Sequence, residues 1–132
     1  LIVDFGTATT FDCVSRKGEY IGGVISPGIG ISLEALVSRT SKLPGVEIVR
    51  PERVIGKNTI QSIQSGMYYG YLGLVEEMVR RLKREVGPDS RVFGTGGLGS
   101  LIEHDASCID EWDEMLTLRG LKIIFDRNVG ER

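Results

Sequence analysis

The sequence predicts an α/β domain: a mixed sheet that starts with three antiparallel strands, packed with helices that include one long helix at about 59–86. Three observations predict it. Apolar and polar residues alternate with a period of two through the first 25 positions, a period of 3.6 runs through the middle of the chain, and a strand, a glycine turn and a helix start follow one another after position 90.

In order, Leu1 to Phe5, Thr9 to Ser15 and Glu19 to Ile25 read as strands, the last two joined tightly by Arg16-Lys17-Gly18. Ser26-Pro27-Gly28 breaks the pattern, and Ile29 to Arg39 carries Ile29, Leu33, Leu36 and Val37 at helical spacing. Thr40 to Lys57, punctuated by Pro44-Gly45, Pro51 and Gly56, is expected to be a structured loop of functional length. The long helix from Thr59 to Val86 has Ile60, Ile63, Met67, Leu74, Met78 and Leu82 as its expected core face, with Glu76/Arg80 and Glu77/Arg81 pairs on the other and Gly87-Pro88 as its stop. Gly66, Gly70 and Gly73 form a stripe on it, each costing up to about 1 kcal/mol against alanine, so a partner helix is expected close to that backbone. Arg91 to Phe93 reads as a strand entering Gly94-Thr95-Gly96-Gly97, and Leu98 to Ile102 as the start of a helix. A last helix is expected over Leu116 to Phe125 with Leu118, Leu121 and Ile124 in the core, followed by a charged tail from Asp126 to Arg132.

Composition narrows the function classes. The chain has 132 residues, 41% hydrophobic and 26% charged, which predicts one soluble globular core and argues against disorder. No apolar run approaches the roughly 20 residues of a spanning helix, so no membrane role is expected. Sixteen basic residues against eighteen acidic ones give a net charge of −2, so no positive field collects nucleic acid. Two cysteines, Cys13 and Cys108, lack metal-ligand spacing, and with no leader-like run the expected compartment is the cytoplasm. The first residue is Leu1, inside an apolar run, so a piece of a longer protein is expected.

The residues able to carry chemistry lie in the turns. Asp4-Phe5-Gly6-Thr7-Ala8-Thr9-Thr10 joins two strands by a hairpin whose glycine and hydroxyls can offer donors to an anion, while an aspartate at the strand end can hold a cation beside phosphate oxygens. Thr95-Gly96-Gly97-Leu98, between strand and helix, lets a ligand approach the backbone. Gly22-Gly23 is read as another glycine-rich bend, and Asn58 or Thr59 as a helix cap. His104 is expected to be solvated and Cys13 to be core. Arg80-Arg81 and Lys83-Arg84 are read as a solvated helix face, and Trp112, Tyr68, Tyr69 and Tyr71 as packing residues.

The order of these motifs is more specific than any one of them. Asp4-Phe5-Gly6-Thr7-Ala8-Thr9-Thr10-Phe11-Asp12 precedes Gly22-Gly23-Val24-Ile25-Ser26-Pro27-Gly28 and Ser32-Leu33-Glu34-Ala35-Leu36. Leu43-Pro44, Ile55-Gly56-Lys57-Asn58-Thr59, Ser65-Gly66 and Thr95-Gly96-Gly97 follow. Over about Leu1 to Asn128 the series resembles the C-terminal half of type III pantothenate kinase. That family belongs to the actin-like superfamily of sugar kinases and ATPases, in which two ribonuclease-H-like domains clasp a nucleotide. The resemblance therefore implies that 1–128 is the C-terminal ribonuclease-H-like lobe of a two-domain kinase, that 129–132 is a tail, and that the N-terminal lobe is absent from this chain. It implies ATP-dependent phosphorylation of pantothenate to 4′-phosphopantothenate, the first step of coenzyme A biosynthesis. Position by position, Asp4 matches the monovalent-cation ligand, Gly6 and Thr7 the phosphate-binding hairpin, Thr59 the threonine that contacts pantothenate, and Gly96 and Gly97 the turn lining the adenosine side. The implied cofactors are ATP, potassium or ammonium, and Mg2+ with the nucleotide. The implied partner is a second copy, in a homodimer that buries the long helix. The general base is expected on the N-terminal half, so this chain alone is expected to be inactive; Asp12 and Glu34 lie near the expected cleft, and the resemblance makes neither the base. The alternative is a non-catalytic regulatory protein on the same fold. An upstream Asp-x-Gly-Asn loop and Gly-x-Asp-Arg motif would favour the kinase. A third possibility, a related kinase acting on a sugar or acid, matches the Gly56 to Thr59 segment poorly.

Overall fold

The computed structural model describes residues 1–39 and 45–129, so the Leu43-Pro44 motif and the last three residues of the expected tail lie outside the described residues. Three antiparallel strands come first, β1 (Ile2–Phe5), β2 (Ala8–Val14) and β3 (Tyr20–Pro27), as the alternation predicts. The link between β2 and β3 closes through Gly18, whose φ of +81° suits glycine, with Ser15 N–H donating to the Glu19 carbonyl at 2.8 Å. Helix α1 (Ile29–Ser38) and the long α2 (Thr59–Val86) follow; then come β4 (Phe93–Thr95), a single 3₁₀ turn (Gly99–Leu101), β5 (Glu111–Trp112) and α3 (Leu116–Val129). The sheet order is β3-β2-β1-β4-β5, with β4 parallel to both β1 and β5.

The register explains which side chains are buried. Val3 pairs with Phe11 and Phe5 with Thr9, so one face of the sheet carries Val3, Phe5, Thr9, Phe11 and Cys13 inward, all buried. Burying a side chain the size of Phe5 contributes about 1.5–3 kcal/mol. Helix α2 covers that face with Tyr68, Tyr71, Val75, Val79 and Leu82. The polar Thr9 is accommodated because its hydroxyl and that of Tyr71 hydrogen-bond in the core. Leaving either unpaired would cost about 1–3 kcal/mol.

The ends of α2 are fixed by its sequence. Asn58 Oδ1 accepts from Gln61 N–H at 2.9 Å, and Gln61 Oε1 accepts from Lys57 N–H at 2.9 Å, so Asn58 rather than Thr59 is the cap. Gly87, at φ +139°, ends the helix. The core face is rotated from the expected one: Ile63 and Leu82 are buried, Met67, Leu74 and Met78 only half so, and Ile60 is exposed. The two buried tyrosines and two valines displace the methionines because their larger or stiffer side chains fill the space over the sheet. A Cβ added at Gly66, Gly70 or Gly73 would meet nothing within 4 Å, so the neighbour expected against this stripe is not supplied by the described part of the chain. On the outer face Glu77 holds both Arg80 and Arg81, at 2.5 Å and 2.7 Å. These bonds keep its carboxyl down at about 2.

Several expectations are corrected. Gly22-Gly23 is no bend but lies inside β3 opposite Asp12 and Cys13, next to a register shift at Cys13/Val14. The strand after Arg91 begins two residues later and includes Gly94 and Thr95. The helix expected from Leu98 is one 3₁₀ turn. Helix α3 exists but runs to Val129, through part of the expected tail, and Leu118, Leu121 and Ile124 are 55%, 57% and 59% exposed. Its apolar side faces solvent because no described residue packs over it. Of the α1 positions only Ile29 is buried, while Leu33 and Val37 are half-buried and Leu36 is 37% exposed. Cys13 is core and His104 exposed, as expected.

Candidate functional site

The hairpin from Phe5 to Ala8 is the centre of the candidate site. Gly6 N–H donates to the Ala8 carbonyl at 3.1 Å, which closes the turn and leaves Thr7 exposed at its tip. Two glycines let other segments approach it. Gly28, the residue before α1, donates its N–H to the Thr7 carbonyl at 3.1 Å, and a Cβ there would collide with that carbonyl and stand 2.7 Å from the Gly6 carbonyl. Gly96 has a φ of +95°, and a Cβ there would collide with the Asp4 carboxylate and stand 2.6 Å from Phe5 N. Leu98 N–H then donates to the Phe5 carbonyl at 3.0 Å. Two segments distant in sequence are thereby locked to one turn.

Their meeting leaves a cavity of about 440 Å³ lined by Gly6, Thr7, Gly97, Ile31, Glu34 and Leu98, with Phe5 and Gly30 completing it. The hairpin and the glycine turn singled out in the sequence thus share one cavity. Gly96 is not among its lining residues but packs on Asp4 and the Phe5 backbone, and Asp4 is on the opposite face of the sheet from Phe5. There Asp4 is in register with Thr10 on one side and Thr95 on the other, so two hydroxyl residues flank it on that face. No cluster of three His, Cys, Asp or Glu residues stands together among the described residues. The donors at Asp4 therefore suit a weakly held, oxygen-ligated cation better than a cage of carboxylates. Helix α1 starts at the cavity with no side-chain cap; its first N–H, that of Ile29, is turned to the Tyr71 hydroxyl in the core, which leaves those of Gly30 and Ile31, both wall residues, for an anion. The contributions of Gly30, Ile31 and Leu98 were not legible in the sequence; the glycine at α1's second position was the one local hint.

Thr59 lies elsewhere. It is exposed at the start of α2 and lines neither this cavity nor a second one of about 460 Å³, to which its neighbours Lys57 and Gln61 contribute along with Arg50, Arg53 and Ile55. The segment 45–57 that walls this second cavity is fastened to α2: Gln64 Nε2 donates to the Glu47 carbonyl at 3.0 Å, Tyr69 hydroxyl to the Pro51 carbonyl at 2.9 Å, and Ser65 hydroxyl to the Val54 carbonyl. Arg50 makes a two-point contact with Asp105, Nε at 2.6 Å and Nη2 at 3.0 Å, and Tyr68 hydroxyl donates to the same carboxylate at 2.8 Å. These bonds hold the Asp105 carboxyl below the usual range, while burial and the bond to Asp105 push the Tyr68 hydroxyl up to about 12. The described part of the expected loop, 45–57, is therefore a pinned strap.

One ring connects the first cavity to the far strand. Phe5 stacks on Trp112 at 5.4 Å between centroids, and Trp112 lies over Gly94, where a Cβ would come within 2.6 Å of Cε3. β5, which carries Trp112, escaped the sequence reading because two residues are too short to show alternation.

A mixed α/β lobe that gathers a glycine hairpin, a glycine turn and an uncapped helix start around one cavity belongs to the class of α/β lobes whose turns offer donors suited to an anion. The family within that class is type III pantothenate kinase, and the chain belongs to it: the family's model matches residues 1–81. The chain is 55% identical over 128 residues to the type III pantothenate kinase of Moorella thermoacetica, covering 97% of this chain and 50% of that protein. It is 59% identical over 129 residues to that of Syntrophobacter fumaroxidans, again 97% of this chain and 50% of the relative. The chain thus spans about half the length of the curated relatives it matches. Among solved structures, a conserved putative Baf family transcriptional activator from Campylobacter jejuni superposes with a TM-score of 0.69 over 98% of this chain and 58% of that one, at 23% identity. That likeness shows a shared fold. No helix among the described residues is long and apolar enough to cross a membrane.

Proposed function

We propose that residues 1–128 are the C-terminal lobe of an ATP-dependent pantothenate kinase that converts pantothenate to 4′-phosphopantothenate in the cytoplasm. The single observation that carries this reading is the cavity shared by Gly6, Thr7 and Gly97, which supports a nucleotide with its phosphates at the hairpin and its adenosine along the glycine turn. The three antiparallel strands leading into a parallel pair support a ribonuclease-H-like lobe of the actin-like superfamily.

Phosphoryl transfer needs positioning and charge stabilisation more than covalent help from the protein. Here Thr7 and the N–H groups of Gly30 and Ile31 hold phosphate oxygens, and Gly96 and Gly97 let the nucleotide lie against backbone. Asp4, with the Thr10 and Thr95 hydroxyls on its face, holds a potassium or ammonium ion. Such a cation, with Mg2+ on the nucleotide, would offset phosphate charge. Thr59 contacts pantothenate beside the strap of 45–57. The general base comes from the N-terminal half, and a second copy packs its α2 against the glycine stripe. The test is a coupled assay on the chain joined to an N-terminal half, with potassium present. Pantothenate-dependent ADP release is expected, with Thr59→Ala raising the KM for pantothenate more than that for ATP. No turnover would overturn the reading and leave a non-catalytic accessory protein on the same fold.

A further inference from the structure

Among the described residues, Glu34 is the one charged side chain that lines the hairpin cavity. The remaining walls are glycine backbone, the Thr7 hydroxyl and the apolar side chains of Phe5, Ile31 and Leu98. Gly30, Ile31 and Glu34 stand at i, i+1 and i+4 of α1, so they share one side of the helix. At Gly30 an added Cβ would reach only Leu98 Cδ1, at 4.0 Å, so nothing bulky separates Glu34 from the hairpin. Glu34 is exposed, and no hydrogen bond or ion pair from the described residues diverts it. A carboxylate cannot share its end of the cavity with phosphate, because like charges repel. It accepts hydrogen bonds and offers none when ionised. Its partner must therefore be the part of the ligand that carries donors and no negative charge. At 1.5 Å of rise per residue, Glu34 lies about 6 Å along α1 from Gly30, where the helix's free N–H groups begin once Ile29 N–H is taken by Tyr71. That displacement fits a nucleotide whose phosphates sit at the helix start and whose sugar lies one turn further on.

We propose that Glu34 is a specificity-determining residue that reads the ribose of the nucleotide, its carboxylate accepting hydrogen bonds from the 2′- and 3′-hydroxyls. The inference rests on the nucleotide reading above. Isothermal titration of the chain with tripolyphosphate, ATP, 2′-deoxy-ATP, 3′-deoxy-ATP and inosine triphosphate tests it, in the native sequence and in Glu34→Gln and Glu34→Ala. The expected result is that Glu34→Ala weakens ATP about tenfold and Glu34→Gln weakens it less. Removing a ribose hydroxyl should weaken binding to the native chain but add little to the loss in Glu34→Ala. Tripolyphosphate should bind both variants at least as well as the native chain. ATP affinity unchanged in Glu34→Ala would overturn the inference and leave the phosphate site standing. A loss that vanishes with inosine triphosphate would overturn it in favour of a contact to the base amino group. Failure of both tripolyphosphate and ATP to bind the native chain would overturn the nucleotide reading together with this one.

Discussion

Gly96 is where backbone conformation and site chemistry coincide. Its φ of +95° and the collision awaiting a Cβ at Asp4 leave no room for a side chain. Gly96→Ala should therefore destabilise the chain by about 1–3 kcal/mol in denaturant titration and displace Asp4, with loss of ATP binding by calorimetry. Asp105 gives a pH prediction with a definite sign. Its carboxyl is held below the ordinary value by Arg50, then by Tyr68, so its contribution to stability is present above the unfolded pKa of about 4 and disappears as pH falls through the lower folded value. Melting temperatures followed downward from about pH 5 should fall less steeply in Asp105→Asn than in the native chain; parallel curves would count against the clamp. The residue-level chemistry of the hairpin was legible in the sequence because Asp4, Gly6 and Thr7 are neighbours in the chain. The Arg50–Asp105–Tyr68 clamp was not, because its members lie up to 55 positions apart and no local pattern joins them.

At the level of elements, α2 shows how periodicity reveals a helix more readily than its orientation. Both ends followed from Asn58 and Gly87, whereas the buried stripe was rotated because tyrosine, polar at its tip, pairs its hydroxyl inside the core as Tyr71 does with Thr9. The glycine stripe at Gly66, Gly70 and Gly73 has open space in front of it, which sets up a test with opposite signs. In a monomer Gly70→Ala should stabilise the helix by up to about 1 kcal/mol. In a dimer that packs on the stripe, Gly70→Leu should shift sedimentation towards monomer while leaving helix content unchanged. Sedimentation that stays dimeric in Gly70→Leu would remove α2 from the interface. The early strands were legible because alternation and register select the same face, while Leu98 to Ile102 was read as helix from a glycine turn that in fact supports one 3₁₀ turn.

For the molecule as a whole, the core ends before α3. That helix is anchored at its start by Asp113, which accepts from Met115 N–H at 3.0 Å and Arg119 Nη1 at 2.6 Å, and none of its residues is buried. Leu121→Glu with Phe125→Glu should therefore leave the chain's unfolding free energy within about 0.5 kcal/mol of the native value, while reducing binding of a hydrophobic dye. A large loss of stability would mean that α3 packs on the core. The sequence could not expose this, because an amphipathic pattern shows that a face seeks cover without saying what supplies it. Trp112 gives the lobe one more property. It is the chain's single tryptophan, and the phenyl ring between its indole and the cavity is that of Phe5, itself a wall residue. An unmodified sample carries its own optical gauge: occupancy beside the hairpin should shift the emission of that indole, and a titration can be followed without attaching a dye.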